Sequence, residues 1–397
     1  MTAGDNRAST DQWGSIQRVK AALQHQEPDR VPLDIGGTRV SGIHIKAYCA
    51  YRRQLGLAPS DPAWQVRYLQ LPRLDEDFRS LLGVDLESAD PITAKEESSI
   101  EKDETGHFYT DRWGTEWFMP HTSAYYDVRT FPLADVESVE DLDRYRWPNE
   151  ASPAILDNLE AEARTVWFEK RRAVFLGRTC PGIFEMPGIL CGHEKAWTNM
   201  ATNPILAEAL LDRFLELKLI YYQAAIQRVL AAGVEYFIIG ESDDLGGQKG
   251  PLISPEMYRR MVKPRHTQLF KAIKEYSHGR AFVELHTDGA IRRLIPDLIE
   301  TGIDILNPIQ VSAAGMDDTR ELKRDFGDAV VFHGGGIDSQ YTLPYGTPQE
   351  VKDEVRRRLD DLAPGGGFIF TPVHSIQHDV PFENFMAMLE TYREYVG

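Results

Sequence analysis

From about residue 173 onward the chain repeats one unit: a short, mainly apolar run without strict alternation, a polar exit, then a segment with helical spacing. The runs are AVFLG (173 to 177), VEYFIIG, AFVELH, IDILNP, AVVFHGG and GFIFTP. A strand apolar on both faces must be covered on both, and a parallel sheet wrapped by helices is the arrangement that does this. The intervening segments fit. Residues 204 to 232 place Leu206, Leu210, Phe214, Leu217, Tyr221 and Ala224 at helical intervals before Gly233. Further helices are expected from Pro255 to about Tyr276, from Gly289 through Ile299, and over about 317 to 326, 347 to 362 and 381 to 396. VPLDIGG, near residue 31, adds a strand to make seven. The eighth is assigned to the weakly patterned stretch 84 to 125, which predicts a (β/α)8 TIM barrel. A doubly wound sheet is the alternative, but no GxGxxG fingerprint follows a strand.

The first 173 residues depart from this regularity. Residues 1 to 12 read as a loose polar tail, and residues 13 to 397 as one domain opening with a helical extension from Trp13 to about Gln26. Short helices punctuated by Pro59, Pro62 and Pro72 are expected over 42 to 85. The aromatic, alternating stretch at about 105 to 131 is expected as an inserted β-hairpin. Its Phe108, Tyr109, Trp113, Trp117, Phe118, Tyr125 and Tyr126 form either the hairpin core or the wall of a pocket for a flat ring. The formal charge of −17, from 44 Lys and Arg against 61 Asp and Glu, argues against a nucleic-acid partner. No apolar run reaches membrane-spanning length. Cys49, Cys180 and Cys191 form no CxxC, which suits a reducing, cytoplasmic setting with the latter two as packing residues.

Barrel chemistry gathers where strands end and loops begin. Those exits carry Asp34 before Gly36 and Gly37; Arg178, Thr179 and Cys180; Glu241, Ser242, Asp243 and Asp244; His286 with Asp288; Asn307 and Gln310; His333; and His374 with His378. One strand-end histidine is more often structural than functional, but such a density of imidazoles, carboxylates and carboxamides points to a site. In FVELHTDGAI, His286 and Asp288 are two apart, so an extended chain turns both the same way. His286, Asp288 and His374, with Glu241 or Asp243 as fourth ligand or proton partner, make a candidate zinc centre with an open position. A metal-free acid–base site built from His374 and a carboxylate is the other reading. Asn307 and Gln310 are expected to orient substrate, with Arg178, His333 and Asp34 as further substrate contacts.

PDRVPLDIGG, SPEMYRRMVKPRHTQLFKAIKE, the HTDG segment with IPDLIETGIDILNPIQ, and GGGFIFTPVHSIQHDVPFENFMAML together resemble the uroporphyrinogen decarboxylase superfamily from about Ser15 onward. The resemblance implies a TIM barrel and two broad chemistries: metal-free decarboxylation of porphyrinogen acetate arms, and zinc-dependent methyl transfer involving corrinoid proteins. The arginine-rich RQAGRY-type segment of the decarboxylases is replaced here by LDIGGTRVSGIH, with only Arg39, whereas their GHGI-type histidine matches His374. Thiol-activating methyltransferases of the superfamily use a His-x-Cys pair and a later Cys; this chain has His286, Asp288 and His374 there. A harder ligand set suits an oxygen leaving group. The expected function is therefore demethylation of a small, aromatic or other, methyl donor, passing the methyl group to cobalamin on a corrinoid protein. The alternatives are a decarboxylase and a noncatalytic binding barrel, and the resemblance allows a homodimer.

Overall fold

A computed structural model describes residues 13 to 397; the expected tail at 1 to 12 lies outside the described residues. Seven parallel strands lie side by side in chain order: Leu86–Ala89, Ala173–Leu176, Phe237–Ser242, Ala281–His286, Ile305–Asn307, Val331–His333 and Phe368–Ile369. The strand expected within 84 to 125 is Leu86–Ala89, LESA, buried at all four positions. The eighth place belongs to VPLDIGG, which is bonded on both sides without being a regular strand. Leu33 bridges Phe370 in parallel. The Asp34 amide donates to the Phe370 carbonyl (2.9 Å) and the Phe370 amide to Pro32 (2.8 Å). On the other edge the Asp85 amide donates to the Leu33 carbonyl at 2.8 Å. The chain thus forms a closed α/β barrel of the TIM type.

Helices cover the sheet as the periodicity predicts, the longest being Pro204–Ala231, which turns Leu210, Phe214, Tyr221 and Tyr222 inward. Three expectations change in detail. The helix expected from Pro255 to Tyr276 widens into a π-turn at Tyr258–Val262 before continuing as Lys263–Tyr276. Pro264 has no N–H to give the preceding turn, so the ordinary ladder is interrupted there. The helix expected to open at Gly289 begins only at Ile295. Within 42 to 85, helices Ile45–Gln54 and Glu76–Leu82 flank a small antiparallel pair, Trp64–Val66 with Leu71–Pro72.

The aromatic excursion is a four-stranded antiparallel sheet, Glu101–Lys102, Gly106–Thr110, Glu116–Pro120 and Asp127–Thr130. Tyr109 is paired with Trp117, and Phe108 with Phe118. Strand alternation therefore sends the two pairs to opposite faces. Tyr109 and Trp117 are buried, whereas Phe108 and Phe118 lie against the Arg129 guanidinium, with centroids 4.6 and 4.7 Å away.

Candidate metal centre

The strand Ala281–His286 lies between Phe237–Ser242 and Ile305–Asn307, with His286 in register with Ser242 on one side and Asn307 on the other. Residues in register across a parallel pair face the same way, so His286, Ser242 and Asn307 all turn into the barrel mouth. Asp288 follows in the loop and His374 arrives from the loop after Phe368–Ile369. Ligand atoms of His286, Asp288 and His374 lie within 4.8 Å of one another. Asp288 Oδ2 is 3.8 Å from His286 Nε2 and 3.9 Å from His374 Nε2.

Two details suit these residues to a cation. Asn307 Nδ2 donates to the His333 carbonyl (2.7 Å), so its Oδ1 is the atom that meets His286 Nδ1 at 2.6 Å. That contact requires the proton on Nδ1 and leaves the Nε2 lone pair facing Asp288 and His374. Second, Asp288 Oδ1 is buried with no hydrogen-bond partner among the described residues. An ionised oxygen so placed calls for a cation or a donor. Partial burial is also the largest influence on His374, lowering its pKa against the opposing pull of Asp288 and favouring the neutral, ligating imidazole.

The loop carrying Asp288 is pinned from three directions. Its amide donates to Asp244 Oδ1 (3.0 Å), its carbonyl accepts from the Gly246 amide (3.1 Å), and the Gly289 amide donates to Gln310 Oε1 (2.6 Å). Asp288, His374 and Gln310 line one cavity of about 360 Å³, together with Tyr125, Ser375 and Gln377.

Other expected site residues fall elsewhere. Glu241 is in register with Leu285, one place from Ser242, and so points outward into the helix layer. There it accepts from Lys218 Nζ at 2.8 and 2.9 Å and from the Tyr222 hydroxyl at 3.0 Å, and it is not among the grouped ligands. Asp243 is fully buried, accepting from the Phe184 and Glu185 amides and meeting His266 Nε2 at 2.8 Å; it fastens a loop. His333 and Asp34 are completely buried inside the barrel and line neither of the cavities beside the cluster. His333 Nδ1 meets Glu284 at 2.6 Å and its Nε2 meets Asp34 at 3.1 Å. Although burial alone would lower it, the two carboxylates push the His333 pKa up to about 10, so the ring is an imidazolium at neutral pH. Arg178 lines a second cavity.

Ser242 and Asp244, not Glu241 and Asp243, are the cluster's neighbours. Ser242 Oγ is buried without a partner among the described residues, and Asp244 Oδ1 is 3.9 Å from His286 Nε2. Strand parity was the available signal: Ser242 and Asp244, two apart, share a direction that Glu241 and Asp243 do not.

Fold and site together define a parallel α/β barrel with a His/Asp/His cluster at its carboxyl-terminal mouth. The uroporphyrinogen decarboxylase (URO-D) family description matches residues 120–395, and the chain belongs to that family. It is 24% identical over 391 residues to a uroporphyrinogen decarboxylase of Pseudoalteromonas atlantica, covering 95% of this chain and 96% of the relative. A second uroporphyrinogen decarboxylase, of Psychromonas ingrahamii, is 27% identical over 211 residues, covering 51% of this chain and 53% of that protein. Among solved structures, a methyltransferase from Methanosarcina mazei superposes with a TM-score of 0.64 over 97% of this chain and 100% of its own, at 18% identity. At that identity the likeness speaks for the fold. No described helix is long and apolar enough to cross a membrane.

Proposed function

We propose that this protein is a zinc-dependent methyltransferase that demethylates a small methyl ether and delivers the methyl group to a reduced corrinoid carried by a partner protein. The observation that carries the reading is the convergence of His286, Asp288 and His374 within 4.8 Å, with an unpartnered buried carboxylate oxygen among them. These three residues would hold the metal, and Asp244 is the next carboxylate available. When bound, zinc supplies Lewis acidity toward an ether oxygen, which becomes an alkoxide or phenoxide as the carbon–oxygen bond breaks. A ligand set without thiolate favours such a hard oxygen atom. The chain's own part is positional: Asn307 fixes the His286 tautomer, while Gln310 and Asp244 hold the Asp288 loop. The cavity wall partly covers His374. A reduced corrinoid on the partner would supply the nucleophilic electron pair for the new bond to the methyl carbon, and the ether oxygen would keep the pair it shared with that carbon.

The names of the curated relatives favour a second reading, metal-free decarboxylation. Against it, a porphyrinogen's many carboxylates need several cationic partners, and the arginines around the adjacent cavity are mostly paired with the protein's own acids. The deciding experiment measures metal content by elemental analysis alongside methyl transfer from aryl methyl ethers to cob(I)alamin. His286→Ala is expected to lose both while keeping its circular dichroism. Full turnover by metal-stripped protein would refute the zinc mechanism.

A further inference from the structure

Asp288 and His374 themselves line the mouth cavity, whose volume of about 360 Å³ is at the small end of the roughly 300–1,000 Å³ typical of ligand sites. Among the described residues that line it there is no Lys or Arg, and Asp288 is the one acid. A carboxylate or ammonium held away from the cluster would lose its water there without gaining a counter-charge. The rest of the wall is neutral. Leu69, Leu71 and Val373 are apolar, whereas Gln310, Ser339 and Ser375 offer an amide and two hydroxyls.

Some of the polar groups in this wall are already engaged with one another. The Tyr125 hydroxyl donates to Gln377 Oε1, and Gln377 Nε2 donates to the Ser375 carbonyl at 2.7 Å. That relay fixes the Ser375 backbone and leaves its side chain free. Ser375 Oγ is buried with no hydrogen-bond partner among the described residues, and a buried hydroxyl so placed calls for one. Gln310 presents the complementary case. The Gly289 amide, a donor, can meet only its oxygen, so the contact at 2.6 Å identifies Oε1 and leaves the Gln310 NH2 to donate elsewhere. A serine hydroxyl gives or accepts a hydrogen bond and an amide NH2 only gives, so ligand hydroxyls answer both.

Resting on the methyl-transfer reading for the reacting end of the substrate, we infer that the mouth cavity takes an uncharged methyl ether bearing hydroxyl groups, a small polyol ether, and that Ser375 and Gln310 select it. The ligand hydroxyls meet Ser375 Oγ and the Gln310 NH2, its C–H surface lies against Leu69, Leu71 and Val373, and its ether oxygen is directed toward Asp288 and His374. Apolar walls supply contact area in such a site, while a few placed polar groups fix orientation and specificity.

The test is titration of the full chain, followed by ligand NMR, with 3-methoxypropane-1,2-diol and with 1-methoxypropane, which lacks both hydroxyls. Each titration is run with zinc and again after chelation, so that coordination to a metal is told apart from recognition by the wall. The diol is expected to bind at least about tenfold more tightly in both states, the difference made by hydrogen bonds to groups otherwise left unpaired. After chelation, methoxyacetate should bind no more tightly than 1-methoxypropane. Ser375→Ala should erase most of the preference for the diol. Gln310→Glu, which keeps an oxygen for the Gly289 amide and removes the donors, should weaken it, with circular dichroism unchanged in both variants. Equal affinity for the two ethers, no binding of either, tighter binding of methoxyacetate than of the diol after chelation, or a preference undiminished in both variants overturns the inference. Should a variant not fold, the wild-type comparison decides alone. The outcomes also separate the two readings. Hydroxyl-dependent binding without methyl transfer to cob(I)alamin refutes the proposed function and leaves this assignment standing; transfer that is equally or more efficient from ethers without hydroxyls does the reverse.

Discussion

At the scale of single residues, Asn307 connects the barrel interior to the His286 imidazole, accepting from His286 Nδ1–H while donating to the His333 carbonyl. Asn307→Leu keeps the volume and removes both bonds. Zinc affinity, measured by competition with a chelator, is expected to fall about 10- to 100-fold, the usual cost of removing a partner that orients a ligand; unchanged affinity would show that the tautomer is fixed by something else. Beneath it, His333 makes a pH prediction. Its folded pKa of about 10 exceeds the ordinary value of 6.5. The native state therefore holds a proton that the unfolded chain has released over that window. The stabilisation is complete below about pH 6.5 and disappears as pH rises through about 10, at up to about 1.4 kcal/mol per unit. Urea unfolding between pH 7 and 9.5 should show this decline, and His333→Gln should flatten it. A parallel slope in the variant would assign the titration to another group. The alternation that paired His286 with Asp288 was legible in the sequence, but the outward turn of Glu241 depended on register with Leu285, and register is a relation between strands that no single stretch records.

At the scale of elements, the site is held by two interlocked loops. Besides the bonds from Asp244 and Gly246, the Leu245 amide donates to Thr287 Oγ1 (3.1 Å) and the Ala290 amide to the Gly247 carbonyl (2.8 Å). Gly289 lets them meet. Its φ is +96°, and a Cβ there would stand 2.3 Å from the Gly246 carbonyl carbon. The glycine of HTDG carries a helix-start signal, yet it serves close backbone approach, a long-range reason that such a signal cannot encode. Gly289→Ala is expected to cost about 1–3 kcal/mol in backbone strain alone and to displace Asp288, lowering both the urea midpoint and zinc affinity. If zinc affinity holds while stability falls, the loop contact is structural and does not set the metal site.

At the scale of the whole molecule, the barrel's irregular seam is the place where VPLDIGG stands in for a strand. Apolar runs of four to six residues made six of the places legible, and LESA, with Glu87 and Ser88 inside it, was not one of them; VPLDIGG breaks early into Asp34 and glycines, and side chains reinforce its backbone bonds. Asp85, completely buried just before the strand Leu86–Ala89, accepts from Arg18 Nη1 at 2.7 Å, from Arg30 Nη1 at 2.7 Å and from the Leu33 amide at 2.9 Å. One carboxylate thus ties the first helix, the stand-in segment and the sheet together. Arg18 also contacts Asp29 at 2.8 Å, so the entering chain is clamped on both sides of its turn. Removing one partner of a buried charge network leaves the rest uncompensated, typically costing about 3–5 kcal/mol. Asp85→Ala should therefore lower the unfolding free energy by that order in urea titration. Asp85 sits at the amino-terminal end of its strand, opposite the mouth, so zinc affinity per folded molecule should be unchanged. A loss under about 1 kcal/mol would mean that the backbone bonds of Leu33 and Asp34 close the barrel unaided. A parallel loss of zinc affinity would mean instead that the seam and the mouth are mechanically coupled, because a closed sheet that opens at its base need not release its upper rim unless the strands between them move as one body.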